Sequence, residues 1–259
     1  MKRLVVNADD FGFTQDVNEG IVEAHQRGIL TSTTLMANGA AFDNAVRLAA
    51  QNPILDVGCH LVLIGGQSVA APHKPLPSSV AGLLAAIVSG QIAIYDELAA
   101  QARKILAAGI APTHLDTHKH THLAPPVLEA VARIAQEFGI PWVRRPFQIP
   151  LLSRHFHRVL DDRNCRTTDH FTGFRLTGRF GAPELVQLIR NLPEGTTEFM
   201  CHPGRCREEL RNATTRLKES REQELLALIA PEARQALADS HVQLVTYREL
   251  SECGKMGVS

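Results

Sequence analysis

The sequence predicts a TIM-barrel-like (β/α) barrel of mainly parallel strands, a single domain over residues 1–259, and three observations lead there. Short β-branched apolar runs alternate with helical stretches, the rhythm of repeated βαβ units. The 259 residues are 44% hydrophobic, enough for a sizeable core, and α/β barrels commonly use this length as one domain. Clusters of Asp and His fall where the predicted strands end, and there such barrels keep their reactive residues. No internal repeat, low-complexity tract or compositional linker argues for a second domain.

Arg3–Ala8 is an apolar run stopped by Asp9, Asp10 and Gly12, a buried strand leaving its sheet. Val17, Ile21, Val22 and Ala24 recur at helical spacing between Asp16 and Gly28, with Thr14 or Asp16 as cap and Gly28 as stop. Thr31–Ala37 reads as strand, Ala41–Gln51 as helix and Leu55–Leu63 as strand. Gly65–Ser79 holds three prolines and two glycines without periodicity, so it reads as a loop after the third strand, where specificity usually resides. Tyr95–Ala108 is helical, Thr113–Thr117 a strand, Pro125–Phe138 a helix opened by its prolines, and Trp142–Arg144 a short strand. Gln148–Asp169 is irregular and rich in Arg and His. The rhythm resumes with helix over Pro183–Asn191, strand over Thr197–Cys201, helices over Leu217–Ile229 and Pro231–Ala238, and a last strand over Val242–Thr246. Gly65–Ser79 and Gln148–Asp169 are expected to border the pocket.

Lys plus Arg equals Asp plus Glu at 27 each, so no global field exists to hold a nucleic acid or an acidic membrane surface. No stretch approaches the ~18 consecutive apolar residues of a membrane span, and acidic residues interrupt the first apolar run before a signal-peptide core forms. Five cysteines without a Cys-x-x-Cys pair fit a reducing cytoplasm better than a disulfide framework. A small, weakly charged partner in the cytoplasm is the expectation, with a homodimer admissible.

Four clusters can carry chemistry. Asn7-Ala8-Asp9-Asp10-Phe11-Gly12 places two carboxylates at a strand end, where the chain can turn both toward one site and a cation would relieve their repulsion; a turn whose Asp caps loop amides explains the pair equally well. His60 ends the third strand and can converge with that pair, although a lone His is more often a bonded core residue. His114 to His122 carries four histidines in nine residues; in extended backbone Asp116, His118, His120 and His122 share one face, a set suited to a transition metal. His202 follows an apolar strand and precedes Pro203 and Gly204, a buried turn histidine or a functional one. Cys206 with His202 could form a closed structural zinc site, while Cys59 and Cys201 should point into packing. Arg144 and Arg145 end the fifth strand, either as surface charge or to position an acid or a substrate oxygen.

The order ADDFG, GCHLVL, THLDTHKHTH, MCHPG, with GILTSTTLMANG and VQLVTYREL, resembles the YdjC-like carbohydrate deacetylase family, which includes chitooligosaccharide deacetylases and a hopanoid-biosynthesis branch. The resemblance implies a metal-dependent hydrolase that releases acetate from an N-acetylated sugar, a GlcNAc-containing oligosaccharide or glycoconjugate. Carried over by motif, it implies Asp10, His60 and His118 as ligands of one divalent ion, Mg2+ or Zn2+, Asp9 as base, and His202 as general acid or oxyanion positioner. His120, Arg145 and Asn38 are assigned to the substrate. The rival readings are a metal-independent glycosidase using two of Asp9, Asp10 and Asp116, and a non-catalytic sugar-binding protein on the same barrel.

Overall fold

The computed structural model describes residues 1–145 and 150–253, the side chains of 150–152 and 253 excepted. Its strands are β1 (Lys2–Phe11), β2 (Ser32–Leu35), β3 (Asp56–Leu61), β4 (His114–Thr117), β5 (Trp142–Val143), β6 (His170–Thr172), β7 (Gly195–Cys201) and β8 (Val242–Leu244). All pair in parallel, in the order β5-β4-β3-β2-β1-β7-β6. The last strand, β8, runs beside the first residues of β1, whereas β2 pairs with its later half. A parallel bridge from Trp142 to Arg166, just ahead of β6, draws the two edges toward each other. The result is a curved, incompletely closed (β/α) barrel.

The helices are α1 (Gln15–Arg27), α2 (Phe42–Gln51), α3 (Val80–Val88), α4 (Ile94–Ala107), α5 (Pro125–Phe138), α6 (Pro150–Asp161), α7 (Ala182–Arg190), α8 (Glu208–Asn212), α9 (Glu219–Ile229), α10 (Pro231–Asp239) and α11 (Tyr247–Cys253). Thr14 caps α1, its hydroxyl accepting from the Val17 amide at 3.2 Å. On β1 the alternation sorts the layers: Leu4, Val6 and Ala8 join the main core with Val17, Ile21 and Leu228 from the helices. Val5, on the other face, packs with Trp142, Val245, Tyr247 and Leu250. Two residues on, that inner face turns polar: Asn7 accepts from His114 Nε2 at 2.8 Å and donates to Asp9 at 3.1 Å. His114 has room because Gly58 faces it; a Cβ on Gly58 would lie 2.7 Å from its ring. The barrel therefore has an apolar floor and a polar interior that opens at the C-terminal strand ends.

The predicted fold class is the observed one, with differences in detail. Three turns of helix lie inside the segment expected to be irregular, because Phe156, Val159 and Leu160 are buried while Arg and His on the other face obscured the period; residues 148 and 149 of that segment lie outside the described residues. The three-residue β6 is only partly buried and carries no apolar run to announce it. Helices α3, α8 and α11 were also unanticipated. No helix among the described residues is long and apolar enough to cross a membrane.

Candidate active site

Strand alternation forbids neighbouring carboxylates from facing one site, and β1 breaks the alternation. Ala8 pairs with Thr33 but Phe11 with Leu35, so β1 carries one extra residue between them, a bulge that re-aims side chains. Asp10 absorbs the bulge with φ 71°, a left-handed conformation costing a non-glycine residue about 1–3 kcal/mol. Gly12, at φ 96°, completes the turn, and its amide donates to Asn18 on α1 at 2.6 Å. Asp9 and Asp10 both line the resulting cleft.

Asp10 Oδ1 lies 3.3 Å from His60 Nε2 and 3.3 Å from His118 Nδ1, and the two nitrogens are 3.2 Å apart. Two donors about 2.0 Å from a tetrahedral centre are about 3.3 Å apart, so this triangle has the dimensions of one face of a zinc-like site. Asp10 Oδ1 is buried and, among the described residues, has no hydrogen-bond partner of proper geometry, which a cation would correct. The tautomers also fit. His60 Nδ1 donates to Asp116 Oδ1 at 2.7 Å, and Asp116 in turn accepts from Thr34 at 3.0 Å, leaving the Nε2 lone pair facing the triangle, an arrangement that orients metal-ligating imidazoles. Burial opposes a charge on His60, yet Asp116 and Asp10 push its pKa up to about 10; the surrounding field favours a cation at this spot. The residues present therefore fit a divalent ion.

Asp9 is held differently. Arg144, fully buried just past β5, grips both its oxygens at 2.6 and 2.8 Å, and also reaches Asp116 at 2.7 Å and Glu198 on β7 at 2.6 Å. Burial disfavours the Asp9 carboxylate, but the guanidinium more than offsets this and holds its pKa well below the usual range. A second group with metal-like spacing, Asp9, His60 and Asp116, is thus already served by Arg144.

His202, at the end of β7, places Nε2 3.8 Å from Asp9 Oδ2. Burial lowers its pKa to about 4 against the pull of Asp9 and Asp10, so the imidazole is neutral near pH 7. Its loop is pressed close to α1: a Cβ on Gly20 would come within 2.4 Å of Gly204. Cys206 is buried in the core rather than grouped with His202, and Cys59 and Cys201 are in the core as well. From α9, Glu224 accepts the His202 amide at 2.5 Å, and Arg221 donates to Asp10 Oδ2 at 2.5 Å.

The cleft above these groups measures about 1710 Å³. Asn38, His118, His120 and His202 line it, and so do Gly65, Gly66 and Ser78 of the expected loop. The described residues 153–169 do not line it; Phe174–Arg179 and Glu208–Leu217 contribute that wall. Arg145 stands apart, its guanidinium donating to the Asp169 carbonyl at 2.8 Å, and its buried neighbour Arg144 reaches the site. The histidine run does not stay extended: β4 stops at Thr117, and Lys119 and His120 take φ 55° and 52°. His118 consequently meets the triangle, His120 packs near Phe171 and Phe174, and His122 folds back to the Thr117 hydroxyl at 2.6 Å. Sequence reasoning passed over Arg221, Glu224 and Glu198; only their place inside otherwise ordinary elements, unreadable without the fold, marks them out.

Residues 3–239 match the model of the family described as YdjC-like protein. A carbohydrate deacetylase of Brevibacillus brevis is 36% identical over 263 residues, covering 96% of this chain and 99% of the relative. One from Geobacillus stearothermophilus is 35% identical, covering 95% of this chain and 96% of its own. Among solved structures, a candidate cellobiose-phosphate cleavage protein of Enterococcus faecalis superposes with TM-score 0.83 at 25% identity, covering 96% of this chain and 98% of the other.

Proposed function

Since this chain belongs to the YdjC-like protein family, we propose that it is a carbohydrate deacetylase, a hydrolase that releases acetate from an N-acetylated sugar with the help of one divalent ion held by Asp10, His60 and His118. The observation that carries the reading is the 3.2–3.3 Å triangle of donor atoms beside the anchored Asp9, at the base of an open cleft. That cleft exceeds the ~300–1,000 Å³ of a drug-sized site, which suits an oligosaccharide or glycoconjugate better than a single small sugar.

A bound ion would supply Lewis acidity to the acetyl carbonyl and to water at the site. One carboxylate with two imidazoles suits zinc or another transition metal better than magnesium, which prefers oxygen. The chain's own groups do the rest. Asp9, ionised and fixed by Arg144, accepts a proton from the attacking water. His202, a neutral imidazole whose Nε2 lies 3.8 Å from Asp9 Oδ2, relays that proton to the departing nitrogen, which leaves as the amine. Arg144 keeps Asp9 charged and aimed throughout. Asn38 and His120 sit on the cleft wall as substrate contacts, whereas Arg145, expected beside them, lies outside that wall and is left out of the role.

A metal-independent glycosidase needs one carboxyl kept protonated as the acid. Asp9 and Asp10 are both held below the usual carboxylate range, and Asp116 is fully buried and does not line the cleft, so none of the three can offer a substrate a protonated carboxyl. Metal analysis combined with acetate release from GlcNAc, diacetylchitobiose, nucleotide sugars and glycolipids tests the proposal. Acetate release abolished by a chelator and restored by the ion is expected. Activity that survives complete metal removal, or no release from any N-acetylated sugar, would overturn it.

A further inference from the structure

We infer that Arg221 is a substrate-contacting residue whose Nη1 binds the oxygen of the acetyl group and then the carboxylate of the acetate product, an assignment that rests on the deacetylase reading.

Arg221 is 2% exposed yet lines the cleft together with Asp9, Asp10, His118 and His202. Its Nη2 donates to Asp10 Oδ2 at 2.5 Å and its Nε to the Leu217 carbonyl at 3.3 Å. Nη1 is buried and has no hydrogen-bond partner among the described residues. A guanidinium donor withdrawn from water without an acceptor is costly, and the described residues supply none. The complement of such a group is an oxygen carrying negative charge, which charge-assisted hydrogen bonds favour most.

The place of Arg221 identifies that oxygen. Asp10 is shared: Oδ1 faces the two imidazoles and Oδ2 faces Arg221. A carbonyl oxygen brought to the ligand triangle arrives beside the guanidinium, and there charge develops when water adds. The side chain is already fixed. The Gly204 amide donates to the Arg221 carbonyl at 3.1 Å, the Phe13 ring lies 5.8 Å from the guanidinium carbon, and a Cβ on Gly204 would sit 3.3 Å from Arg221 Cδ. A preorganised donor of this kind serves an oxyanion. Neutralising Asp10 alone would need one donor from Arg221, and Lys would supply it; the idle Nη1 is what separates the two roles.

The test compares wild type with Arg221→Lys, both loaded with Zn2+ and checked for metal content. Lys keeps a cation for Asp10 but loses the second donor. The variant should retain its metal, bind acetate about tenfold or more weakly by acetate NMR line width, and lose about 10²–10³ in kcat. Retained metal with unchanged acetate affinity would overturn the assignment. Should the variant fail to fold or to hold metal, wild type decides alone: the Arg221 side-chain N–H resonances, identified through contacts to Phe13, must shift saturably with added acetate. Resonances that stay still refute it. Acetate release by wild type with unaltered acetate affinity in the variant removes Arg221 and leaves the deacetylase reading intact; no release from any sugar removes both.

Discussion

Replacing Arg144 with Met tests the ionic interior most directly. The arginine side chain is 0% exposed and bonded to Asp9 at 5%, Asp116 at 0% and Glu198 at 0%. Arg144→Met keeps most of the volume and leaves three carboxylates without their cation. Breaking one buried pair costs about 3–5 kcal/mol, against a total stability of roughly 5–15 kcal/mol for a domain. With a urea m-value of about 2–3 kcal/mol/M, the midpoint should fall by about 1–2 M. The pH dependence gives a second sign. In wild type the folded-state pKa of Asp9 is depressed, so its contribution is present above the unfolded value of about 4 and is lost as pH falls below it. Without Arg144, burial acts on Asp9 against only the smaller pulls of His60 and His202, and it adds to the upward shift burial already gives Glu198. Folded-state pKa values then exceed unfolded ones, and the variant gains stability as pH falls from 8 toward 5. Urea unfolding in a chelator, so that metal linkage does not intrude, should show a deficit that is largest at pH 8 and shrinks toward pH 5. A deficit under about 1 kcal/mol at pH 8, or one that grows toward pH 5, refutes the reasoning.

The neighbouring carboxylates should fail for different reasons. Asp10→Asn should bind metal weakly and regain some turnover when metal is added, whereas Asp9→Asn should keep its metal and lose roughly two to four orders of magnitude in rate; equal metal loss in both would make Asp9 a ligand. Glu97 on α4 accepts from the Ser68 hydroxyl and from the Val69 and Ala70 amides at 3.0 and 3.1 Å, tying down the loop after β3. Glu97→Ala should raise KM more than it lowers kcat and speed hydrogen exchange at residues 68–70, and slow exchange there with altered kcat alone would contradict this. Burial raises the Glu224 pKa to about 7, against amide donation from His202 and Gly178. With a folded value above the unfolded one, the folded state holds the extra proton and stability falls as pH rises from about 4.5 to 7. The full effect is about 3 kcal/mol. Glu224→Gln cannot ionise, so its stability relative to wild type should improve by up to that amount between pH 5 and pH 8, measured by denaturant unfolding; a pH-independent difference would count against the buried carboxylate.

What was legible in the sequence were strand ends. Asp9, Asp10, His60 and His202 each follow an apolar run, and parallel connectivity brings such ends to one rim, so their convergence needed no coordinates. Backbone departures were not legible. The bulge that turns Asp9 and Asp10 together and the left-handed turn at Lys119 and His120 depend on pairing and packing, which alternation cannot foresee. The choice between Arg144 and Arg145 was lost for a related reason: β5 has two residues, too few to fix which successor points inward. Arg221 and Glu224 sit in ESREQELLALI, a stretch that reads as a solvated helix face. Only the approach of α9 to the mouth of the barrel buries them.

That interior is hard to explain by stability. A buried ion pair is often no more stable than a well-packed apolar replacement, and here one arginine joins three carboxylates above a floor of Val5, Trp142 and Tyr247. Its arrangement makes sense as aiming. Three groups that would act on substrate or ion are each held from the far side by one that would not: His60 by Asp116, Asp9 by Arg144, His202 through its amide by Glu224. Arg144 reaches β7 as well, so the base and the strand carrying His202 share one anchor. Directional hydrogen bonds in a low-dielectric interior fix orientation in a way that apolar packing does not. An apolar replacement of the whole network could therefore keep the barrel folded and still lose the alignment of base, ligands and acid.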